Sequence, residues 1–326
     1  MTTTVGIIGG GAWGTALAQV VASGERDVLL WAHEADVVAA INSRHENPLF
    51  LAGVPLSPGI RATGDLTALA DCAANLVVTP AQHMRAVLGD LPRKGRPLLL
   101  CAKGIEAGSL KLLHEVAAEV HPGSPIAVLS GPTFAHEVAA GQPTAVTLAA
   151  ATEDQAQALT ALIARPHFRP YWSTDLAGAE IGGAVKNVLA IACGVVEGAG
   201  LGQNARAALI SRGFAEMTRF GLALGARPET LAGLSGLGDL VLTCSSTSSR
   251  NFSLGLGLGQ GQVASALLTD RRTVAEGAFT APVLCEAAAR RGVDMPVARA
   301  VCALLDGSAD VAQVVSALLA RPLRAE

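Results

Sequence analysis

The chain has 326 residues, of which half are hydrophobic and 16% are charged, and its formal net charge is −3. This composition excludes an intrinsically disordered chain, because disorder requires low hydrophobicity and high charge. The small negative charge gives no general attraction for nucleic acid or for an anionic membrane. Since single hydrophobic cores rarely exceed ~250–300 residues, we expect two domains.

The first half of the sequence alternates short apolar segments with segments of helical spacing. The predicted strands lie at residues 4–8, 27–32, 75–79, 97–102, 125–130 and 144–149. The predicted helices lie at 15–23, 36–44, 82–90 and 110–120. Strands that are apolar throughout are typical of a parallel sheet covered on both faces. Their alternation with helices predicts a doubly wound, mostly parallel α/β domain over residues 1–178.

The sequence changes character after Ser173. From Glu180 onward the apolar residues recur with helical spacing, in the segments 180–198, 204–224, 280–291, 296–306 and 311–320. We predict no strand there and find no repeat of fixed period. Residues 179–326 are therefore expected to form an all-helical domain for substrate binding and catalysis.

The cysteines and the N-terminal residues indicate in which cellular compartment the protein is found. None of the six cysteines stands in a CxxC pair, so neither a disulfide framework nor a zinc site is indicated, and no metal is expected. The uncharged segment 1–24 has no basic start and is interrupted by glycines, unlike a signal peptide. We expect a cytoplasmic protein without membrane insertion.

A glycine-rich turn follows the first predicted strand. Gly9, Gly11 and Gly14 give the spacing GxGxxG between that strand and a helix. In this setting Gly9 permits a sharp turn, Gly11 lets a pyrophosphate approach the backbone, and Gly14 lets the helix pack close to the strand. Free N–H groups at the helix start would bind the anion. The motif predicts a Rossmann dinucleotide-binding domain; the alternative is a glycine-rich turn without a ligand.

The residues after the second predicted strand bear on the choice of dinucleotide. In NAD-specific folds an acidic residue about 20 positions beyond the turn binds the ribose hydroxyls. Glu34 is placed to accept from them, whereas the neighbouring His33 could donate to the 2′-phosphate of NADP. The sequence leaves NAD and NADP open.

Only four of the 24 basic residues are lysines, so a lysine within an apolar segment requires an explanation. Lys186 lies in the segment 182–196, which is apolar nearly all round and is predicted to be a buried helix. A buried ammonium needs a carboxylate or an anionic ligand, and burial brings an amine nearer the pKa range useful for proton transfer. Lys103 follows a predicted strand at its carboxyl end, where open α/β sheets bind ligands. The alternatives are snorkelling or a structural ion pair for Lys186 and a solvated strand end for Lys103.

Asp239 is the only charged residue between Glu229 and Arg250, in a glycine-rich apolar segment. It is predicted to be either a helix cap or a site carboxylate. The polar run after it ends in Ser249, Arg250 and Asn251. Hydroxyls, backbone amides and a guanidinium suit a phosphate group, although an ordinary polar loop has the same composition.

A second polar segment closes the predicted strand at 125–130. Gly131 and Thr133 follow Ser130 there, and the next helix would present its N–H groups at the same edge of the sheet. His136 is a candidate general base in that helix. A histidine in the first turns of an exposed helix is more often only solvated.

Together these segments resemble the bacterial-type NAD(P)-dependent glycerol-3-phosphate dehydrogenases. The matching segments, in family order over about 270 residues, are GGGAWGTALA (9–18), LWAHE (30–34), CAKGIE (101–106), SGPTFAHEVAAGQPT (130–144), GGAVKNVLAI (182–191), NARAALISRGFAEM (204–217), GLGDLVLTC (236–244), SRN (249–251) and VAEG (274–277). The segments GPTFAHE, GGAVKN and GLGDLVLTC are together highly specific.

The resemblance implies that the protein reduces dihydroxyacetone phosphate to sn-glycerol 3-phosphate with NAD(P)H. It implies that Lys186 is the catalytic proton donor and acceptor, with Lys103 and Asp239 in the same site. The implied substrate-binding residues are Lys103, Gly131, Thr133, Lys186, Asp239, Ser249, Arg250 and Asn251. The implied cofactor-binding residues are Gly9, Gly11, Ala12, Trp13, Gly14, His33, Lys103, Ala135, Arg250, Val274 and Glu276.

The resemblance has one departure and two wider implications. The family commonly has a serine where this chain has Ala12, so the pyrophosphate is left to backbone amides at that point. The departure bears on cofactor affinity and not on cofactor class. The family also implies a supply of glycerol phosphate for phospholipid synthesis, with a homodimer as the candidate assembly.

Two other functions are alternatives to glycerol-3-phosphate dehydrogenase activity. A related dehydrogenase acting on a 3-hydroxy acid or on 6-phosphogluconate also uses a buried lysine, but GGAVKN and the polar run 245–251 fit the glycerol phosphate family better. A dinucleotide-sensing protein that binds without turnover is the second alternative. Lys186 within an apolar helix speaks against a sensor, which has no need for a buried charge.

Overall fold

The computed structural model describes residues 4–24, 26–268 and 275–322. The chain divides into two compact units. The first comprises Met1–Glu106 and Lys111–Glu180, and the second comprises Ala107–Leu110 and Ile181–Glu326. Val274, which the resemblance assigns to the cofactor, lies outside the described residues.

The described part of the first unit contains one sheet of eight strands. They are β1 Val5–Ile8, β2 Val28–Trp31, β3 Ile60–Thr63, β4 Asn75–Val77, β5 Leu98–Leu100, β6 Ile126–Ser130, β7 Thr144–Ala150 and β8 Phe168–Ser173. Their order in the sheet is β3-β2-β1-β4-β5-β6-β7-β8. Neighbouring strands are parallel except β6 and β7, which are antiparallel. The predicted mostly parallel sheet of Rossmann type is confirmed.

Both faces of this sheet are covered. The helices of the first half are α1 Ala12–Ala22, α2 Ala35–Arg44, α3 Met84–Asp90, α4 Leu113–Val120, α5 Ala135–Ala139 and α6 Glu153–Ile163. Because successive residues of a strand point to opposite faces, Leu76 of β4 joins one core with Leu17 of α1. Its neighbour Val77 joins the other core with Met84 of α3. Burial on both faces explains why the central strands are apolar throughout.

The apolar pattern does not reveal β3 and β8, and both lie at the edges of the sheet. Arg61 of β3 is exposed, and β8 contains Pro170 and the exposed Tyr171 and Trp172. An edge strand has a ladder partner on one side only, so it tolerates proline and polar residues. The sequence of such a strand therefore lacks a continuous apolar run.

The regular elements after β8 in the described chain are helical, and its α-helices follow in chain order. They are α7 Leu176–Gly198, α8 Gln203–Ala223, α9 Pro228–Ala232, α10 Asp239–Cys244, α11 Arg250–Gly259, α12 Ala264–Leu267, α13 Glu276–Arg290, α14 Pro296–Asp306 and α15 Val311–Leu319. No strand follows Ser173 among the described residues, so the predicted all-helical second half is confirmed.

Helix α7 lies in the interior of the fold. By length and composition it could cross a membrane, but its most apolar stretch is wholly buried within the fold, as in the core helix of a globular protein. The residues on either side of Lys186, from Ala184 to Val188, are all buried. A helix that is apolar all round therefore occupies the interior, as the sequence predicts.

Candidate active site

The glycine turn joins β1 to α1 in the first unit. Gly9 has a φ of +127°, which residues with a side chain rarely adopt. A Cβ there would lie 3.1 Å from the backbone carbonyl carbon of Val78. A Cβ at Gly14 would lie 1.9 Å from the carbonyl oxygen of Gly9. Only glycine at these two positions lets α1 pack directly against the turn.

Gly11 differs from the other two glycines because the protein itself leaves room for a side chain there. Its φ is −70°, and a Cβ would meet no atom within 4 Å. The residue caps the start of α1, whose first N–H groups have no carbonyl partner within the helix and whose first turn holds no acidic side chain. Open space beside free amide donors at the positive end of a helix suits an anion. The turn therefore fits the pyrophosphate of a dinucleotide.

Two buried side chains that sequence reasoning misses hold this turn from the interior. Asn47 donates from Nδ2 to the carbonyl oxygen of Gly10 at 2.8 Å and to the hydroxyl of Thr15 at 2.8 Å. The Thr15 hydroxyl donates to the carbonyl oxygen of Gly11 at 2.9 Å. Asn47 is 32 positions from Thr15, so no local pattern signals the contact.

The remaining first-unit cofactor candidates lie at the ends of β1 and β2. Ala12 and Trp13 begin α1, are half-buried and pack against the hydrophobic core. His33 is exposed just after β2. Glu34 precedes α2 and its side chain makes no capping hydrogen bond. The end of β2 thus presents a carboxylate and an imidazole side by side, each suited to a different dinucleotide.

A second group of predicted residues lies at the carboxyl ends of β5 and β6. The ammonium of Lys103 donates to the carbonyl oxygen of Gly131 at 3.3 Å, and the Thr133 hydroxyl donates to the same oxygen at 3.3 Å. These three residues therefore lie together. Ala135 begins α5 just beyond them and is half-buried, whereas His136 is exposed, as expected of a solvated histidine.

Lys186 of α7 is only 6% exposed. Its ammonium donates to Asp239 Oδ1 at 2.5 Å and to Thr243 Oγ1 at 2.8 Å. The Thr243 hydroxyl lies 3.3 Å from the same carboxylate oxygen and donates to it. The lysine therefore does not snorkel to the surface; it forms a buried ion pair, in which the charge of each partner compensates the other.

Asp239 pairs with Lys186 and is not the cap of its helix. The capping position of α10 belongs to Gly238, whereas Asp239 is the first residue of the helix and is completely buried. Thr243 lies four residues later, on the same face of α10. This i, i+4 spacing within GLGDLVLTC is the signal by which the sequence could have identified Thr243.

A close backbone contact brings α10 to Lys186. The segment before α10 is a π-helical turn, Leu234–Gly238. A Cβ at Gly182 of α7 would lie 2.1 Å from the carbonyl oxygen of Ser235 in that turn, so glycine is required for the contact. Gly182 precedes Lys186 by four residues, which places both on one face of α7. The glycine thereby sets Asp239 against the lysine.

The predicted phosphate-binding residues Ser249, Arg250 and Asn251 stand at the start of α11. The Ser249 hydroxyl caps α11 by accepting from a backbone N–H of its first turn. Asn251 is buried, whereas Arg250 is exposed. The guanidinium is thus the group of the three that solvent reaches.

Hydrogen bonds connect the starts of α11 and α13 to α7. Asn251 Nδ2 donates to Asn187 Oδ1 at 3.1 Å, and Asn251 Oδ1 accepts from the N–H of Gly277 at 2.9 Å. Asn187 is the next residue after Lys186, and Glu276 is the first residue of α13. Asn251 therefore links the side chain of Asn187, the neighbour of Lys186, to the backbone of α13, a role that sequence reasoning misses.

Two buried cysteines near the lysines are neutral thiols. Burial raises the pKa of Cys101, which directly follows β5. A hydrogen bond with Cys193 and burial raise the pKa of Cys244 well above its usual value. Because the thiolate is the nucleophilic form, neither residue suits nucleophilic catalysis.

Two family models match this chain. The model described as the NAD-dependent glycerol-3-phosphate dehydrogenase N-terminus matches residues 4–156, and that described as the C-terminus of the same enzyme matches residues 175–316. Together the two matches cover most of both units.

Curated relatives and a solved structure are similar over nearly the whole chain. A glycerol-3-phosphate dehydrogenase of Erythrobacter litoralis, named with NAD(P)+, is 64% identical over 100% of this chain and 98% of its own length. The protein of that name from Caulobacter vibrioides is 57% identical over 99% of this chain and 98% of its own. The crystal structure of glycerol-3-phosphate dehydrogenase from Coxiella burnetii has a TM-score of 0.93 and 38% identity, covering 98% of this chain and 99% of that one.

Proposed function

This chain belongs to the NAD-dependent glycerol-3-phosphate dehydrogenase family, and we propose that its buried Lys186 is the acid and base of the reaction. The enzyme reversibly reduces dihydroxyacetone phosphate to sn-glycerol 3-phosphate with NAD(P)H. The observation that carries the proposed mechanism is the buried ion pair of Lys186 with Asp239.

Lys186 supplies the proton of the reduction. Conversion of the ketone to the alcohol adds a hydride to C2 and a proton to the carbonyl oxygen. The reduced nicotinamide supplies the hydride when bound. The Lys186 ammonium donates its proton to the oxygen as negative charge develops there, and it is reprotonated from solvent. In the reverse direction the neutral amine accepts the proton of the C2 hydroxyl.

Asp239 and Thr243 prepare Lys186 for this role. The carboxylate 2.5 Å from Nζ favours the protonated form of the amine. With a second N–H held by the Thr243 oxygen, the ammonium has a fixed direction before any substrate binds. Preorganised charge of this kind stabilises a developing oxyanion without reorganisation during the reaction. The resemblance assigns Lys103 to the substrate as a second cation.

We assign the phosphate of the substrate to Arg250 as its main cationic partner. A guanidinium forms paired hydrogen bonds with phosphate oxygens, and this one is exposed. Ser249 and Asn251 fix the start of α11, from which Arg250 projects. The other residues assigned to the substrate are Lys103, Gly131, Thr133, Lys186 and Asp239.

The glycine turn would hold the dinucleotide. The free N–H groups at the start of α1 receive the pyrophosphate, and Gly11 provides the open space for it. The residues assigned to the cofactor are Gly9, Gly11, Ala12, Trp13, Gly14, His33, Lys103, Ala135, Arg250 and Glu276, together with Val274 beyond the described ranges.

We place the enzyme in the cytoplasm, where it supplies glycerol phosphate for phospholipid synthesis. All six cysteines are free, which suits a reducing compartment. The burial of α7 within the fold supports a protein that is not inserted in a membrane. A homodimer is the assembly we propose, and sedimentation equilibrium measures it directly.

A substrate panel followed at 340 nm tests the function. We expect the purified enzyme to consume NADPH or NADH with dihydroxyacetone phosphate, forming one glycerol 3-phosphate per nucleotide. Dihydroxyacetone without the phosphate should give a kcat/KM roughly 100-fold lower, because the charge-assisted hydrogen bonds of the phosphate, worth up to ~3 kcal/mol, are lost. Comparable oxidation of 6-phosphogluconate or 3-hydroxyisobutyrate would contradict the assignment, as would dinucleotide binding without turnover.

A further inference from the structure

Asn47 and Thr15 form a hydrogen-bonded pair beneath the glycine turn, and both residues are 0% exposed. The Asn47 amide uses its two N–H bonds for Gly10 O and Thr15 Oγ1, each at 2.8 Å. Its Oδ1 accepts from the backbone N–H of Phe50 at 3.2 Å. A flipped amide would set an oxygen against the Gly10 carbonyl and an N–H against another N–H, so these partners fix its orientation.

The Thr15 hydroxyl completes the pair. It accepts from Asn47 and donates to the carbonyl oxygen of Gly11 at 2.9 Å. Each polar atom of the two side chains thus has a partner, as buried polar groups require. The carbonyl groups of Gly10 and Gly11 are both held toward these interior side chains.

Because the peptide group is planar, fixing the direction of a carbonyl also fixes the direction of the next residue's N–H. In a trans peptide the C=O of one residue and the N–H of the next point in opposite directions. Because the carbonyl of Gly10 faces Asn47, the N–H of Gly11 faces away from it. In the same way, the Gly11 carbonyl directs the N–H of Ala12; it accepts from the Thr15 hydroxyl and also from the backbone N–H of Thr15, at 3.0 Å. The space next to Gly11 is open, with no atom within 4 Å of a built Cβ.

We infer that Asn47 and Thr15 are positioning residues for the dinucleotide, which set the N–H groups of Gly11 and Ala12 before the pyrophosphate binds. The inference rests on the proposed assignment of the turn to the cofactor. Ala12 has no hydroxyl to offer, so the direction of its backbone N–H decides its contribution. A donor oriented in advance loses less conformational freedom on binding, which raises affinity.

The matched variants Thr15→Val and Thr15→Ser test the inference. Valine removes the hydroxyl at nearly constant volume, whereas serine keeps it; Asn47→Ala removes the amide. Calorimetric titration with NADH, NADPH and ADP-ribose gives the Kd values. We expect Thr15→Val and Asn47→Ala to raise Kd about tenfold for all three, since they share the pyrophosphate, and Thr15→Ser to stay within about twofold. The KM for dihydroxyacetone phosphate and the kcat at saturating dinucleotide should not change.

Gly11→Val separates failure of this inference from failure of the proposed site. Its Cβ would have no protein atom within 4 Å, and the valine side chain takes up space next to the amides. If ADP-ribose binds that variant as tightly as wild type, the turn is not the cofactor site and both proposals fall. If Gly11→Val abolishes binding while folded Thr15→Val and Asn47→Ala bind with wild-type Kd, the inference alone is overturned. Thermal unfolding identifies a misfolded Asn47→Ala, in which case the two Thr15 variants decide.

Discussion

Asp239 Oδ1 lies 2.5 Å from Lys186 Nζ, and both side chains are buried. In an interior of low dielectric the two charges compensate each other, and removal of one leaves the other buried without that opposite charge. Breaking such a pair costs about 3–5 kcal/mol of folding stability. A test of catalysis at this pair therefore needs a stability measurement beside the activity.

Replacing Lys186 with Met should abolish most of the turnover. The substitution keeps an apolar stem in α7 but removes the proton donor, and general acid catalysis is worth ~10²–10⁴-fold in kcat. The Kd for NADPH, measured by nicotinamide fluorescence, should change little. Stopped-flow or steady-state rates at saturating substrate give the kcat.

Lys94→Met is the matched control, since the Lys94 side chain is 53% exposed and lies 3.8 Å from Asp71. It should keep wild-type kcat and unfold at the wild-type urea concentration. A folded Lys186→Met variant with near-normal kcat would show that another group protonates the substrate.

Thr243 should act through Lys186. Its oxygen accepts from the lysine at 2.8 Å. Thr243→Val removes this hydrogen bond at nearly constant volume and should lower both the kcat, by about tenfold, and the free energy of unfolding, by roughly 1–2 kcal/mol. Thr243→Ser keeps the hydroxyl and should restore the kcat. Equal kcat values for the valine and serine variants would exclude this positioning role.

The fold follows from local sequence more completely than the site does. Central strands such as β4 are apolar on both faces, so their pattern is plain, whereas Pro170 obscures the edge strand β8. The burial of Lys186 follows from the apolar residues all round it in α7. The identity of its partner does not follow from local sequence, because Asp239 is 53 positions away and only tertiary packing brings the two together.

Contacts between residues far apart in sequence also explain why the sequence does not predict that Asn47 holds the glycine turn. The bond from Asn47 to Gly10 spans 37 positions, and a lone asparagine after a helix is usually part of a turn. Nothing in its neighbourhood distinguishes a side chain that holds a distant carbonyl. By contrast, Gly9 and Gly14 can be identified from their spacing alone, because the local backbone at each position leaves no room for a side chain.

Arg250→Ala should weaken substrate binding. A hydrogen bond to a charged group is worth about 1.5–3 kcal/mol, so the KM for dihydroxyacetone phosphate should rise roughly 10–100-fold at saturating NADPH. Arg290→Ala is the matched control, because the Arg290 side chain is 64% exposed on α13 and pairs with Glu286. It should leave the KM unchanged. An effect of Arg250→Ala confined to the Kd for NADPH would remove the guanidinium from the substrate site.

Glu216 of α8 gives the fold a dependence on pH. The residue is buried, and its Oε1 accepts from the N–H of Val297 at 2.8 Å, at the start of α14. Burial raises the pKa of this carboxyl from 4.5 to about 7, although the backbone N–H groups oppose the shift. The folded state therefore binds the proton more tightly than the unfolded state does.

Because the raised pKa belongs to the folded state, the stability that Glu216 contributes should fall as pH rises from about 4.5 to 7 and then level off. The contribution of Glu216 to this fall is about 3 kcal/mol. Glu216→Gln cannot titrate, so urea unfolding at pH 5, 6, 7 and 8 should show a shallower fall for this variant than for wild type. Glu229→Gln, at an exposed position, should keep the wild-type profile. Parallel profiles for Glu216→Gln and wild type would mean that Glu216 takes up no proton on folding in this range.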